Sequence, residues 1–320
     1  SSRRYTFDFL SYIINFILLL QMKVFPFIKI EKKNYPTVIM GEDHFTGWFK
    51  KCKPYNSEKE REEDYKITLE TAYSKGVRGF SMSPHLGLIK ILKQFKQKHP
   101  EIVCISNHHW KSSYYVGKES LWEEKNMKKL VNFAASKVDK EMLNKYYWFK
   151  NNDHDFFSKK EINQFRLDEK EYKVQLKQFK GFCDFCLVGN LGISSLILHK
   201  RTDIIKREIE LARKEGLIPL LMCEGGGLAL PAAENLDVAG SWLCINQSCV
   251  FPNFEVTLET IKKSTKPITA YKILTNPEGF NLKKSISFIK NIKQIKSIVI
   301  GVDGKKQAEE TFTGLRDYWQ

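Results

Sequence analysis

Side chains able to transfer a proton or polarise a carbonyl recur at eight points of this chain. They are Glu42-Asp43-His44, Ser83-Pro84-His85, Asn107-His108-His109, Asn190, Cys223-Glu224, Asn246, Lys272 and Asp303. Each group closes a short apolar run. A lysine desolvated among apolar strands can lose its proton and form a Schiff base, or it can hold an anion as a point charge. The bland alternative for Lys272 is an ion pair with Glu224 or Asp303 that only holds the fold. Histidine suits acid–base work near neutrality. His44 and His108 are therefore the acid–base candidates, Glu224 their carboxylate partner, and Lys272 the electrophilic or anion-binding group. Glu42, Asn107, Asn246 and Asp303 are the candidates for holding substrate. Ordinary hydrogen-bonded structural roles remain the alternative for the histidines. No H-x-H strand pair and no H-E-x-x-H helix occurs, so no metal is assigned; His44, His85 and His109 come nearest to a ligand set.

The elements that must position these residues follow one unit: apolar run, polar loop, amphipathic helix. The runs are Thr37–Met40, Gly76–Met82, Glu101–Ile105, Asp184–Val188, Leu217–Cys223, Asp237–Ile245, Pro267–Leu274 and Lys296–Ile300. Strands separated by helical crossovers pair in parallel. Eight such units predict an α/β chain closed into a (β/α)8 TIM barrel, an aldolase-type barrel, whose chemistry sits at the C-terminal strand ends. The polar groups stand at those ends. Strand alternation places Ile298, Ile300 and Val302 under the helices, and Ser297, Val299, Gly301 and Asp303 towards the interior or the mouth. Glu224 is in phase with Leu220 and Met222, and His44 with Met40 and Glu42. An unpaired Lys272 ammonium under an apolar helix layer would be costly, so Lys272 is expected at the mouth.

Helices are predicted at Ser57–Lys75, Leu86–Lys98, Arg201–Lys214, Val256–Ser264, Leu282–Ile292 and Lys305–Tyr318. The spacing breaks between Ile105 and Cys183. Helical patterns at Leu121–Lys137 and Lys159–Phe179 there exceed one crossover. Residues 110–181 are thus read as the third barrel helix plus an insertion after the third strand, set over the mouth. Residues 1–34 read as an N-terminal extension and 35–320 as a single barrel domain.

The 320 residues suffice for one large core, and 52 Lys+Arg against 37 Asp+Glu give a formal charge of +15. The lysines are scattered rather than striped, and no nucleic-acid module is present, so a small-molecule partner is expected and no nucleic acid. Seven cysteines without a framework favour reduced thiols and a cytoplasmic setting. Cys183-x-x-Cys186 reads as two core cysteines. The apolar run Phe9–Leu20 is too short for a spanning helix, which needs about 20 residues. Membrane association of residues 9–20 is the less favoured reading, and a chain starting at Met22 is expected to fold.

Loops after the last two strands of such barrels often bind phosphate through backbone N–H groups and a helix N-terminus. Gly279, Gly301 and Gly304 are the candidate phosphate-binding residues here; Asp303 as an N-cap with turn glycines is the alternative. The stretch from Lys266-Pro267-Ile268-Thr269-Ala270-Tyr271-Lys272 to Ser297-Ile298-Val299-Ile300-Gly301-Val302-Asp303-Gly304-Lys305-Lys306 resembles the C-terminal part of aldo/keto reductase-like barrels. Gly76-Val77-Arg78-Gly79-Phe80-Ser81-Met82-Ser83 resembles their second strand. The resemblance implies an NADP phosphate cradle. It does not carry the family's catalytic Asp-Tyr-Lys-His set: Ser81 or Ser83 stands at the aspartate, Pro84–Gly87 lacks the tyrosine, and the third strand ends Ser106-Asn107 without the lysine.

Three expectations follow. The first is a barrel enzyme acting on a small anionic carbonyl- or phosphate-bearing metabolite by acid–base or lysine-assisted chemistry. The second is an NADP-binding oxidoreductase with non-standard catalytic residues. The third is a non-catalytic binding barrel.

Overall fold

The computed structural model describes residues 24–46, 54–108, 113–145, 155–274 and 281–319. His109, Gly279 and the apolar run 9–20 lie outside them. In chain order, β1 (Phe27–Ile30) and β2 (Lys33–Pro36) form an antiparallel hairpin, followed by β3 (Val38–Gly41), β4 (Gly79–Met82) and β5 (Val103–Asn107). Next come β6 (Tyr114–Val116), β7 (Glu119–Ser120) and β8 (Phe165–Leu167), then β9 (Phe185–Val188), β10 (Ile218–Cys223), β11 (Ser241–Cys244), β12 (Ile268–Tyr271) and β13 (Ile295–Gly301). Strands β3, β4, β5 and β9 to β13 close a parallel barrel in that order, β13 pairing back onto β3. All eight fall within or against the predicted runs, and the (β/α)8 expectation holds.

Alternation sorts the strand residues into two apolar layers. Ile39, Val103, Ile105, Phe185, Leu187, Leu220, Met222, Trp242, Tyr271 and Val299 pack together inside the barrel. Their neighbours Met40, Phe80, Cys104, Cys186, Leu221, Ala270, Ile298 and Ile300 pack outward under the helices. Each fully buried side chain of this kind contributes about 1.5–3 kcal/mol. The helices follow their predicted stripes. The one at Glu58–Ser74 begins where the Ser57 side chain accepts from the Glu60 amide, and Tyr65, Leu69 and Ala72 form its buried face.

The extension differs from its sequence reading. Its last part belongs to the fold, because the β1–β2 hairpin closes the N-terminal end of the barrel. Ile30 and Tyr35 join the interior cluster. The Tyr35 hydroxyl accepts from Trp242 Nε1 at 2.8 Å and pairs with Thr269 Oγ1 at 2.9 Å, which satisfies a fully buried phenol. Gly79 makes this close approach feasible: a Cβ there would lie 2.4 Å from Pro36 Cγ and 2.9 Å from Ile39 Cγ1. Neither neighbour is the free end of a flexible side chain. Gly79→Ala is therefore expected to cost about 1–3 kcal/mol, read as a lower urea midpoint at unchanged slope. An unaltered midpoint would mean that the hairpin yields freely.

The described residues 113–145 and 155–181 hold the irregular part, as expected, but the single helix predicted at Lys159–Phe179 is split. It becomes a short helix at Lys159–Asn163, strand β8 and a helix at Glu169–Phe179. The cause is competition: Phe165 is buried by pairing β8 with β6, and Asp168 then caps a new helix by accepting from the Glu171 amide. The helix at Glu124–Ala135 leans over the mouth side, where Ala134, Ala135 and Met142 pack with Ile193, Cys249 and Phe251 of the loops after β9 and β11. Among the described residues no helix is long and apolar enough to cross a membrane. The six described cysteines are free and buried.

Candidate active site at the barrel mouth

Glu224 is the centre of the site. It extends the interior phase of Leu220 and Met222 one step past β10, and its Oε1 receives Lys272 Nζ at 2.5 Å. The Ile193 amide donates to its other oxygen, Oε2, at 2.9 Å. Burial alone would raise the Glu224 pKa. The Lys272 charge, the Lys272 hydrogen bond and the Ile193 amide outweigh burial and hold it below the ordinary carboxylate range.

Lys272 reaches the mouth by a route that alternation does not foresee. Ile268 and Ala270 belong to the outer layer, so Lys272 continues an outward phase. Its backbone enters the left-handed region, φ +56°, the phase breaks, and the ammonium meets Glu224.

Asp43, one residue past Glu42 at the end of β3, joins the same cluster. Burial, then the Glu42 charge, raise its pKa to about 7; the Lys272 ammonium opposes and the Glu224 charge adds to the rise. Glu42 is 2% exposed and turned to β4, where its carboxylate accepts from Ser83 Oγ at 2.6 Å and from Ser81 Oγ. Asn246 spends its amide on its own loop: Oδ1 accepts the Ser248 and Cys249 amides, both at 2.9 Å, and Nδ2 faces the Lys272 carbonyl at 3.5 Å. Asn107 accepts from Asn190 Nδ2 at 2.5 Å.

The histidines divide. His44 lies over Gly301, where a Cβ would come within 3.2 Å of its Nε2. Burial lowers its pKa against the pull of Asp303, which is itself exposed on the rim. His44 therefore belongs to the mouth, beside the β13 end. His108 does not. It packs outward against Tyr172 and Phe179 with ring centroids 5.0 and 5.4 Å away, its Nδ1 facing the Leu187 carbonyl. Burial lowers its pKa to about 4. The expected acid–base role at the mouth is corrected for this residue: the strand phase that sends Asn107 inward sends His108 under the helix layer. His85 precedes the helix at Leu86–Lys98 and faces Arg61 and Glu58, outside the cluster. No group of three or more metal-ligating side chains is assembled among the described residues.

The corner expected to hold phosphate is occupied by the protein's own groups. Gly301 faces the His44 ring, and a Cβ at Gly304 would lie 3.3 Å from Asp64 Oδ1. Asp64 also accepts from the Tyr55 hydroxyl at 2.8 Å. A carboxylate at a helix N-terminus takes the electrostatic place that a phosphate would take. An anion set against Gly304 would meet the Asp64 carboxylate. Sequence reasoning placed Asp43, Ser81 and Ser83 at strand ends without giving them a role, and it missed Ile193 altogether. Asp43 was legible as a neighbour of Glu42, but the Ile193 amide carries no side-chain signal.

Solved structures resemble this chain. A Pseudomonas aeruginosa protein assigned to the aldo-keto reductases aligns over 92% of this chain and 94% of its own, with a TM-score of 0.56 and 11% identity. A second structure with the same assignment and organism covers 90% and 92%, with a TM-score of 0.55 and 12% identity. The likeness establishes the scaffold: this chain has the (β/α)8 barrel seen in those aldo-keto reductase structures. No protein-family model and no curated protein matches the sequence.

Proposed function

We propose that this chain is an aldo-keto-reductase-like barrel enzyme that moves a proton to or from a small carbonyl compound at the mouth. Asp43 is the acid–base group and Lys272 the cation that polarises the substrate oxygen. The observation that carries this reading is the placement of Asp43, a half-buried carboxyl beside the ion-paired Lys272 and Glu224 at the C-terminal strand ends, where its pKa is raised to about 7. An acid of that pKa is half protonated at neutral pH and so serves in either direction. Among the described residues Glu224 pairs with the Lys272 ammonium and Asp43 lies within its field, while Glu42 adds a further negative charge beside Asp43. That balance favours a carbonyl compound with little negative charge over the phosphorylated one expected from the glycines.

The second reading, an NADP-dependent reductase, is favoured by the scaffold likeness to proteins assigned to the aldo-keto reductases. The Asp64 carboxylate at Gly304 speaks against it. One panel of small aldehydes, ketones and 2-oxo acids separates the readings. Loss of α-proton signal in deuterated water, followed by NMR, supports proton transfer. Oxidation of added NADPH, followed by absorbance, supports the reductase. If neither signal exceeds that of Asp43→Asn with any compound, the binding-barrel reading replaces both.

A further inference from the structure

Five described non-glycine residues have left-handed backbone: Glu31, Ile193, Ser194, Lys200 and Lys272. Two of them meet on one carboxylate, and a third, Ser194, binds the backbone on either side of it. Lys272, at φ +56°, gives its ammonium to Glu224 Oε1, and Ile193, also at +56°, gives its amide to Oε2. Ser194, at +52°, holds the second strained residue in place from both sides of the Glu224 segment. Its Oγ lies 3.4 Å from the Met222 carbonyl and accepts the Gly225 amide at 2.9 Å. A β-branched residue such as Ile193 adopts this region only at an energetic cost. The surroundings that enforce it are visible: Ile193 is 5% exposed and packs in the small cluster with Ala134, Cys249 and Phe251. Strain of this kind persists where the neighbouring structure over-determines it, and it gathers at functional sites.

We propose that Ile193–Ser194 is a positioning segment. The Ser194 hydroxyl, clamped between Met222 and Gly225, forces the Ile193 amide onto Glu224 and so keeps that carboxylate ionised and fixed. Glu224 in turn aims Lys272 at the mouth. The inference rests on the function proposed above for Lys272 and Asp43, but its first consequence is electrostatic and needs no substrate. An amide that donates to a carboxylate favours the ionised form, and without the clamp that donation weakens.

The test is the Glu224 midpoint, read from its side-chain carboxyl carbon by NMR in wild type, Ser194→Ala, Ser194→Gly and the control Lys200→Gly. Lys200 shares the left-handed strain, at φ +61°, but makes no contact with Glu224 among those described above. Ser194→Ala and Ser194→Gly are expected to raise the midpoint, and Lys200→Gly to leave it in place. Glycine at 194 removes the hydroxyl while relieving the strain, so the second variant answers should the first fail to fold. A lower melting temperature with an unmoved Glu224 midpoint in both Ser194 variants would overturn the proposal and leave the segment purely structural. A raised midpoint in a protein that processes no carbonyl compound would keep the positioning role and reject the function.

Discussion

Asp43→Asn is expected to lower carbonyl turnover by about 10²–10⁴-fold and, at the same time, to make the protein more stable above neutral pH. The two effects share one cause. Burial, reinforced by Glu42, raises the Asp43 pKa from an ordinary 3.8 to about 7. An acid whose pKa is raised by folding contributes its full stability below the unfolded value and loses it as pH rises through the folded one. Across the window from about pH 4 to pH 7 the wild type therefore gives up stability that the neutral amide retains. Thermal melts at pH 5 and pH 8 check this: the variant should gain most on wild type at pH 8 and clearly less at pH 5, part-way through the window. A variant that is equally active, or that shows the same difference at both pH values, would remove Asp43 from the proposed role.

Lys272→Met is expected to be the more damaging substitution. It keeps the length of the stem and deletes the charge 2.5 Å from Glu224. Both side chains are about one-fifth exposed, at 20% and 18%, so solvent screening is modest. Breaking such a pair from one side strands a desolvated carboxylate, at a cost of about 3 kcal/mol. Here the stranded charge also has Asp43 among the groups it acts on. The sign with pH is opposite to that of Asp43. The Glu224 pKa is depressed in the fold, so its contribution is present above the ordinary carboxylate range and lost as pH falls through the folded value. The Lys272→Met deficit should therefore be largest at pH 7–8 and shrink on acidification. Adding Glu224→Gln should recover most of the stability and none of the activity, and the double-mutant cycle measures the coupling. Additive single effects would show that the pair does not act as a unit.

The barrel was legible in the sequence because its signal is local and repeated. Runs such as Thr37–Met40 and Leu217–Cys223 are apolar on both faces, as strands buried on both sides must be, and helices such as Glu58–Ser74 carry their own caps and stripes. Strand phase also foretold Glu224 and the two layers of β13. The closing hairpin was less visible, since Tyr35 finds Thr269 and Trp242 more than 200 positions away, and nothing near Tyr35 announces them.

The same holds for the site. The sequence by itself determined which residues reach the C-terminal strand ends, because a period of two and an apolar helix layer leave polar side chains few places to stand. Only the tertiary structure decided their roles. It turned His108 under Tyr172 and Phe179, placed Asp64 against Gly304 where a phosphate was expected, and bent Lys272 out of phase through a left-handed backbone. It also brought the Ile193 amide to Glu224 across 31 positions. Backbone strain and through-space charge depend on contacts between distant strand ends. No spacing along the chain encodes them; burial with the Glu42 charge raises Asp43, and the Lys272 charge with the Ile193 amide lowers Glu224 against burial.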